Sequence, residues 1–219
     1  GTEVKFTPGV IRGGNVEFEC GSKYGIAYFL EPLIAFLPFA KLPTRLTLTG
    51  LTADRTDSGM ASLPYFYDSL LQTLKMTSAL TIKIVNRGFL PDGIGKVSVE
   101  CAPLDKLDAI NLQCPERVEK IRGMLASTKV NGQICINIVN DLKQIIGEYF
   151  EEIFIYTDNK SLGESVSSGY SLALVATCVD SAMVVVSETN SATVSDPNSF
   201  AETSAKAFLK KVAKLTVLD

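Results

Sequence analysis

At 219 residues, 46% of them hydrophobic and 21% charged, the chain has ordinary globular composition and enough length to bury one or two cores. Its 24 acidic and 21 basic residues leave a net charge of −3, carried wholly by residues 112–219, which argues against attachment to nucleic acid through phosphate contacts alone. Histidine is absent, which excludes a histidine ligand, a histidine general base and any Ser-His or Cys-His pair from this span, and no apolar run of 18 or more residues free of charge and proline predicts a membrane span.

In chain order, Gly1 to Phe6 carry no initiator methionine and no signal or transit pattern, and Leu215 to Asp219 no stop signal, so the natural protein is expected to extend beyond both ends. Gly13-Gly14 predicts a turn, because glycine tolerates positive φ. Val16 to Cys20 alternates apolar and polar residues as a half-buried strand does. A helix follows, with Ile26, Phe29, Leu30, Leu33, Phe36 and Leu37 along its apolar face and Pro38 and Pro43 bracketing its exit. Within it, Pro32 removes one helical hydrogen bond, and Glu31 beside it is read as having a buried structural role. Arg45 to Leu51 is a strand. After a polar loop, Asp57 or Ser58 caps a second helix whose apolar face is Leu63, Phe66, Tyr67, Leu70, Leu71 and Leu74. Strands Leu80 to Val85 and Lys96 to Cys101 flank a shaped loop, Arg87 to Gly95, rich in turn formers. The expected order in residues 1–111 is strand, strand, helix, strand, helix, strand, strand, an α/β unit with helices covering a mixed sheet.

The pattern changes near Asn111 to Pro115. Ile121 to Leu125 predicts a strand, and residues 131–150 a helix facing its core with Ile134, Ile138, Leu142, Ile145, Ile146 and Tyr149. Glu152 to Thr157 is a strand, and Tyr170 to Cys178 pairs with Ala182 to Ser187 as a hairpin. A polar loop, Glu188 to Ser199, leads to a last helix, 199–214, burying Phe208, Leu209 and Val212 and exposing Lys206, Lys210, Lys211 and Lys214. Strand-helix-strand followed by hairpin-helix resembles a thioredoxin core without its redox cysteines. The five cysteines, Cys20, Cys101, Cys114, Cys135 and Cys178, show no Cys-x-x-Cys spacing and read as reduced core thiols of an intracellular protein. Asp54, Asp57 and Asp68 match no chelating loop, so no metal is expected.

Three segments carry a resemblance: Phe6-Thr7-Pro8-Gly9-Val10-Ile11-Arg12-Gly13-Gly14; Gly25 to Ile34 with its Tyr28-Phe29-Leu30-Glu31-Pro32 block, continuing through Leu37-Pro38-Phe39; and Leu48 to Thr52. In this order and spacing they resemble the cyclase-like, ribosome-biogenesis branch of the RNA 3′-terminal phosphate cyclase family. The Arg87-Gly88 to Gly95 loop looks like the family's Arg-Gly-x-x-Pro-x-Gly-Gly-Gly loop, and Pro103, Ile110-Asn111-Leu112 and Tyr170 to Ala176 also match. The resemblance implies an α/β (α+β) fold of repeated two-helix, four-stranded-sheet units with an inserted thioredoxin-like domain. Residues 1–111 would be part of the large domain, 112–215 the insert and 216–219 the return toward the large domain.

Two departures bear on function. Ile94 breaks the glycine triplet, and Asp92 adds negative charge where a phosphate cradle wants exposed backbone N–H groups. After the hairpin, Ser187 to Ala192 is acidic where the cyclases resemble a Gly-rich basic stretch. The resemblance places the cyclases' adenylylated histidine beyond this span. It implies a non-catalytic factor of the nucleolar small-subunit processome, without cofactor, supporting pre-rRNA processing toward 18S rRNA with a ribosome-assembly GTPase, pre-rRNA and small nucleolar ribonucleoprotein as partners. The rivals are an ATP-dependent RNA 3′-terminal phosphate cyclase and an endoribonuclease cutting pre-rRNA. No catalytic, cofactor or metal residue is assigned. Candidate RNA or partner contacts are Arg12, Gly13 and Gly14, the loop residues Arg87, Gly88, Gly93 and Gly95, and Lys210 and Lys211. Each also has a structural reading, as turn, hairpin or solvated helix face.

Overall fold

The computed structural model describes residues 3–5, 7, 9–52, 79–90, 94–106, 118–160, 168–178, 184–191 and 196–216. The expected second helix with Leu63 to Leu74, the boundary near Asn111 to Pro115, Cys114, Gly93 and the turn at Val179 to Ser181 lie outside them. The elements run β1 (Gly14–Gly25), α1 (Ile26–Phe36), a 3-10 turn (Leu37–Phe39), β2 (Thr44–Leu51), β3 (Leu80–Asn86), β4 (Gly95–Cys101), β5 (Val118–Thr128), α2 (Gly132–Gly147), β6 (Ile153–Lys160), β7 (Gly169–Cys178), β8 (Val184–Ser191) and α3 (Pro197–Thr216). The result is a mixed α/β architecture consistent with the expected fold class.

The first sheet has the order β1-β2-β4-β3. β1 and β2 are parallel, as a strand-helix-strand crossover requires, and the other two pairings are antiparallel. Among the described residues a single strand, β1, precedes α1, where two strands were expected. Residues 11–13 instead run irregularly beside the segment entering β2, with Lys41 N donating to Ile11 O and Leu42 N to Arg12 O.

α1 buries Ile26, Ala27, Leu30 and Ile34, and Leu37 follows in the turn. Phe29 and Leu33 pack at the margin of that stripe, and Phe36 is exposed rather than buried. Almost every residue of this helix is apolar, so periodicity alone left its inward face ambiguous. Pro32 lies inside the helix and Glu31 beside it is exposed, not buried.

The second sheet has the order β6-β5-β7-β8, with β5 and β6 parallel and the remaining pairs antiparallel. Asn131 caps α2 by accepting from Gln133 N at 2.9 Å. The buried side of α2 is Cys135, Ile138, Val139, Leu142 and Ile146, while Tyr149 is exposed, because it lies past the end of the helix. α3 adds Phe200, Ala201, Ala205, Phe208 and Val212 to the same core, and Leu209 is only partly buried. β8 extends through Ser191, into the stretch expected to be loop. Its pairing with β7 supplies backbone partners to a polar sequence, which outweighs the low strand propensity of that sequence.

Candidate nucleic-acid and partner interface

The Arg12-Gly13-Gly14 turn is built by backbone geometry. Gly13 has φ +82° and Gly14 φ +100°, conformations that L side chains rarely adopt. A Cβ on Gly13 would lie 2.2 Å from Leu42 O, whereas one on Gly14 would meet nothing within 4 Å. Gly14 N donates to Pro43 O at 3.0 Å. Arg12 is therefore carried, exposed, on a turn fixed at both sides.

Beside this turn a groove of about 810 Å³ runs between α1 and the β1 edge of the first sheet. Its walls include Ile11, Val16, Phe18, Tyr28 and Pro32, and among the described residues Glu31 is its one charged lining residue. An aromatic cluster extends from it: Phe18 and Phe29 rings lie 5.6 Å apart, Tyr28 meets Phe29 edge-on at 5.4 Å, and Tyr24 stacks on Tyr28 at 4.8 Å. Lys23 Nζ sits 5.4 Å from the Tyr24 ring centroid, within cation–π reach.

The loop leaving β3 is arranged differently. Arg87 Nη2 donates to Asp158 Oδ2 at 2.7 Å and Nε to the same oxygen at 3.3 Å, and the Arg87 side chain is only 7% exposed. Met124 Sδ lies 3.8 Å from Nη2. Gly88 N donates to Thr52 Oγ1 at 2.9 Å, and Gly88 O accepts from Thr52 N and Thr52 Oγ1. A Cβ on Gly95 would lie 2.8 Å from Gly88 N and 2.5 Å from Thr52 Cγ2, so this glycine permits the close approach of the two ends of the loop. Phe89, fully buried, abuts Gly169 at the start of β7. Arg87 and Phe89 thus join the first sheet to the second, Gly88 and Gly95 shape the loop ends beside Thr52, and the Nε and Nη2 donors of Arg87 and the N–H of Gly88 have partners inside the protein.

Lys206, Lys210, Lys211 and Lys214 are exposed on α3, with Lys206 paired to Glu202 one turn earlier. These lysines, the Arg12 turn and the Arg87 loop lie on separate elements. Among the described residues, no group of three His, Cys, Asp or Glu is placed to hold a metal ion. Cys20, Cys101, Cys135 and Cys178 are buried free thiols. Burial pushes the Cys20 thiol up to about 11 and raises those of Cys101 and Cys178, so none of the three is an activated nucleophile.

The sequence reading did not find Asp158 as the partner of Arg87, since the two are 71 residues apart. It also missed the exposed rings of Phe154 and Tyr156 on β6. Ile153-Phe154-Ile155-Tyr156 is a continuous apolar run, which carries no signal about which face is open.

The family model for RNA 3′-terminal phosphate cyclase matches residues 1–209. The chain is 35% identical over 178 residues to the human RNA 3′-terminal phosphate cyclase-like protein, an alignment covering 80% of this chain and 48% of that protein. It is 37% identical over 179 residues to an rRNA processing protein of Schizosaccharomyces pombe, covering 80% and 49%. A probable cyclase-like protein of Dictyostelium discoideum is 34% identical over 178 residues, covering 80% and 48%. The chain spans about half the length of the curated relatives it matches.

Proposed function

The chain belongs to the RNA 3′-terminal phosphate cyclase family, and on that premise we propose that it serves pre-rRNA processing toward 18S rRNA as a non-catalytic factor. In this reading it works in the nucleolus, within the small-subunit processome, by docking an assembly GTPase and pre-rRNA. The observation that carries the non-catalytic part is the state of the Arg87 loop. A loop that cradles phosphate needs an uncommitted cation and free backbone N–H groups. Here Arg87 is held by Asp158 and the Gly88 N–H by Thr52. The similarity to a protein named for rRNA processing supports the RNA side of the reading. The net charge of −3 favours docking through protein as well as RNA.

The element order of residues 118–216, strand-helix-strand, hairpin, helix, supports assigning residues 112–215 to the inserted thioredoxin-like unit and 1–111 to the large domain. Arg12, Gly13, Gly14, Gly93, Lys210 and Lys211 remain proposed contacts for RNA or partner. Arg87, Gly88 and Gly95 serve such a contact by shaping the ends of the loop between β3 and β4, which Arg87 ties to the second sheet.

Two measurements test the reading. The natural protein incubated with radiolabelled ATP is expected to gain no covalent adenylate. Purified under gentle conditions from growing cells, it is expected to bring a GTPase and 18S precursor RNA with it. Stable adenylylation would establish the cyclase instead, and cleavage of a short pre-rRNA at one position by the purified protein would establish the nuclease.

A further inference from the structure

We infer that the open face of β6 and β5 is a stacking platform for single-stranded RNA. β6 is one of the two edge strands of the second sheet among the described residues. Ile153 and Ile155 turn toward the helices and pack on their core. Phe154 and Tyr156 therefore point to the opposite face, where they are 48% and 61% exposed. Residues two apart on a strand are roughly 6.5 Å apart, so both rings stand side by side on one face.

The neighbouring strand supplies the charge. Register pairs Arg122 with Phe154, Met124 with Tyr156 and Ala126 with Asp158, placing each pair on the same face; Ala126 is buried and Met124 lies against Arg87, so the open part of the face is Arg122, Phe154 and Tyr156. Arg122 is exposed. Asp158 continues the row of Phe154 and Tyr156 and would repel a phosphate, but the Arg87 guanidinium neutralises it. Glu151 and Glu152, both exposed, precede β6 and bound the platform at that end. Flat exposed rings on a sheet with an adjacent cation are what unpaired bases and their phosphates require, since every base offers a π-face and its backbone a negative charge. A duplex hides those faces, so the platform selects single strands.

The two rings and Arg122 lie outside the loops proposed above to contact RNA or a GTPase, and the platform draws on those loops only through the Arg87–Asp158 pair. The test titrates the full chain into a fluorescein-labelled ten-nucleotide single-stranded RNA, followed by anisotropy. A duplex of the same length and a strand of abasic nucleotides are titrated in parallel. The intact single strand is expected to bind at least about tenfold more tightly than either. Phe154→Ala and Tyr156→Ala each weaken binding by about fivefold or more, the range set by loss of one base stack. Phe154→Tyr and Tyr156→Phe retain it, and Arg122→Ala lowers the salt dependence by about one phosphate contact. Both rings are exposed, so all variants should melt with the parent chain.

Equal affinity for the abasic strand overturns the inference, as does wild-type affinity in the Phe154→Ala/Tyr156→Ala double variant. Failure of the parent chain to bind the intact strand overturns it too. So does a protein strand adding to the β6 edge with affinity indifferent to both rings, because such pairing uses backbone groups. Pre-rRNA association that persists in the double variant removes this platform while leaving the rRNA-processing role standing.

Discussion

Arg87 and Asp158, 71 residues apart in the chain, form an ion pair at 2.7 Å that ties the loop after β3 of the first sheet to β6 of the second. The arginine is almost fully buried while the carboxylate keeps 34% of its side chain in solvent. Removing the carboxylate therefore leaves a buried charge without its partner, whereas removing the arginine leaves a carboxylate that water reaches. Asp158→Ala is expected to cost about 2–4 kcal/mol and Arg87→Ala a similar amount, much of the latter from lost packing on Met124. The double variant should cost less than the sum by about 1–3 kcal/mol, read from urea unfolding of all four chains. Strict additivity would mean that the pair carries no coupling.

Phe89 and Gly169 make the second link between the sheets. A Cβ on Gly169 would lie 2.7 Å from Phe89 Cδ1, and the ring is fully buried. Gly169→Ala should lower stability by about 1–3 kcal/mol through overpacking. Phe89→Ala should lower it by about 3–5 kcal/mol through the cavity left behind. Combined, the two changes should be less harmful than their sum, because the new methyl occupies part of the emptied space. Thermal unfolding of the four chains checks this.

Two adjacent glycines with the same sign of φ should respond differently to alanine. Gly14→Ala meets only backbone strain, expected to cost about 1–2 kcal/mol. Gly13→Ala adds a collision with Leu42 O at 2.2 Å and should be worse by at least about 1 kcal/mol. Equal denaturation midpoints for the two variants would contradict the structure of the turn.

The Cys20 thiol offers a pH test. Its pKa is raised from 9.0 to about 11 by burial, so in the folded protein it stays protonated while the unfolded chain begins to ionise. The unfolded state then binds fewer protons than the native state, and stability falls as pH rises. The Cys20 contribution is fully present below about pH 9 and is lost between about 9 and 11. Cys101 and Cys178 act in the same direction. Cys20→Ala should flatten this part of the stability profile. The buried thiols should react with a disulfide reagent at pH 8 only as fast as the protein opens.

The sequence by itself determined the element types and most of their order. Arg45 to Leu51 and Lys96 to Cys101 alternate with period two, and each is a strand with one face in the core; Val16 to Cys20 is a strand as expected, but of its apolar positions only Cys20 is buried, while Val16 and Phe18 stay exposed along the groove. The glycine and proline blocks were enough to identify the family, since those residues mark backbone positions that few others can occupy. What the sequence did not contain was which faces meet. The helix rich in apolar residues could turn several ways, and its stripe through Ile26, Leu30 and Ile34 was selected by the sheet beneath it. The same holds for Phe154 and Tyr156, left open because their strand lies at a sheet edge. Arg87 is the sharpest case: a cation beside glycines has one local meaning, but the partner that decides its role arrives from a distant strand. Local chemistry is written in neighbouring residues, while the burial of a charge depends on contacts that only the folded chain brings together.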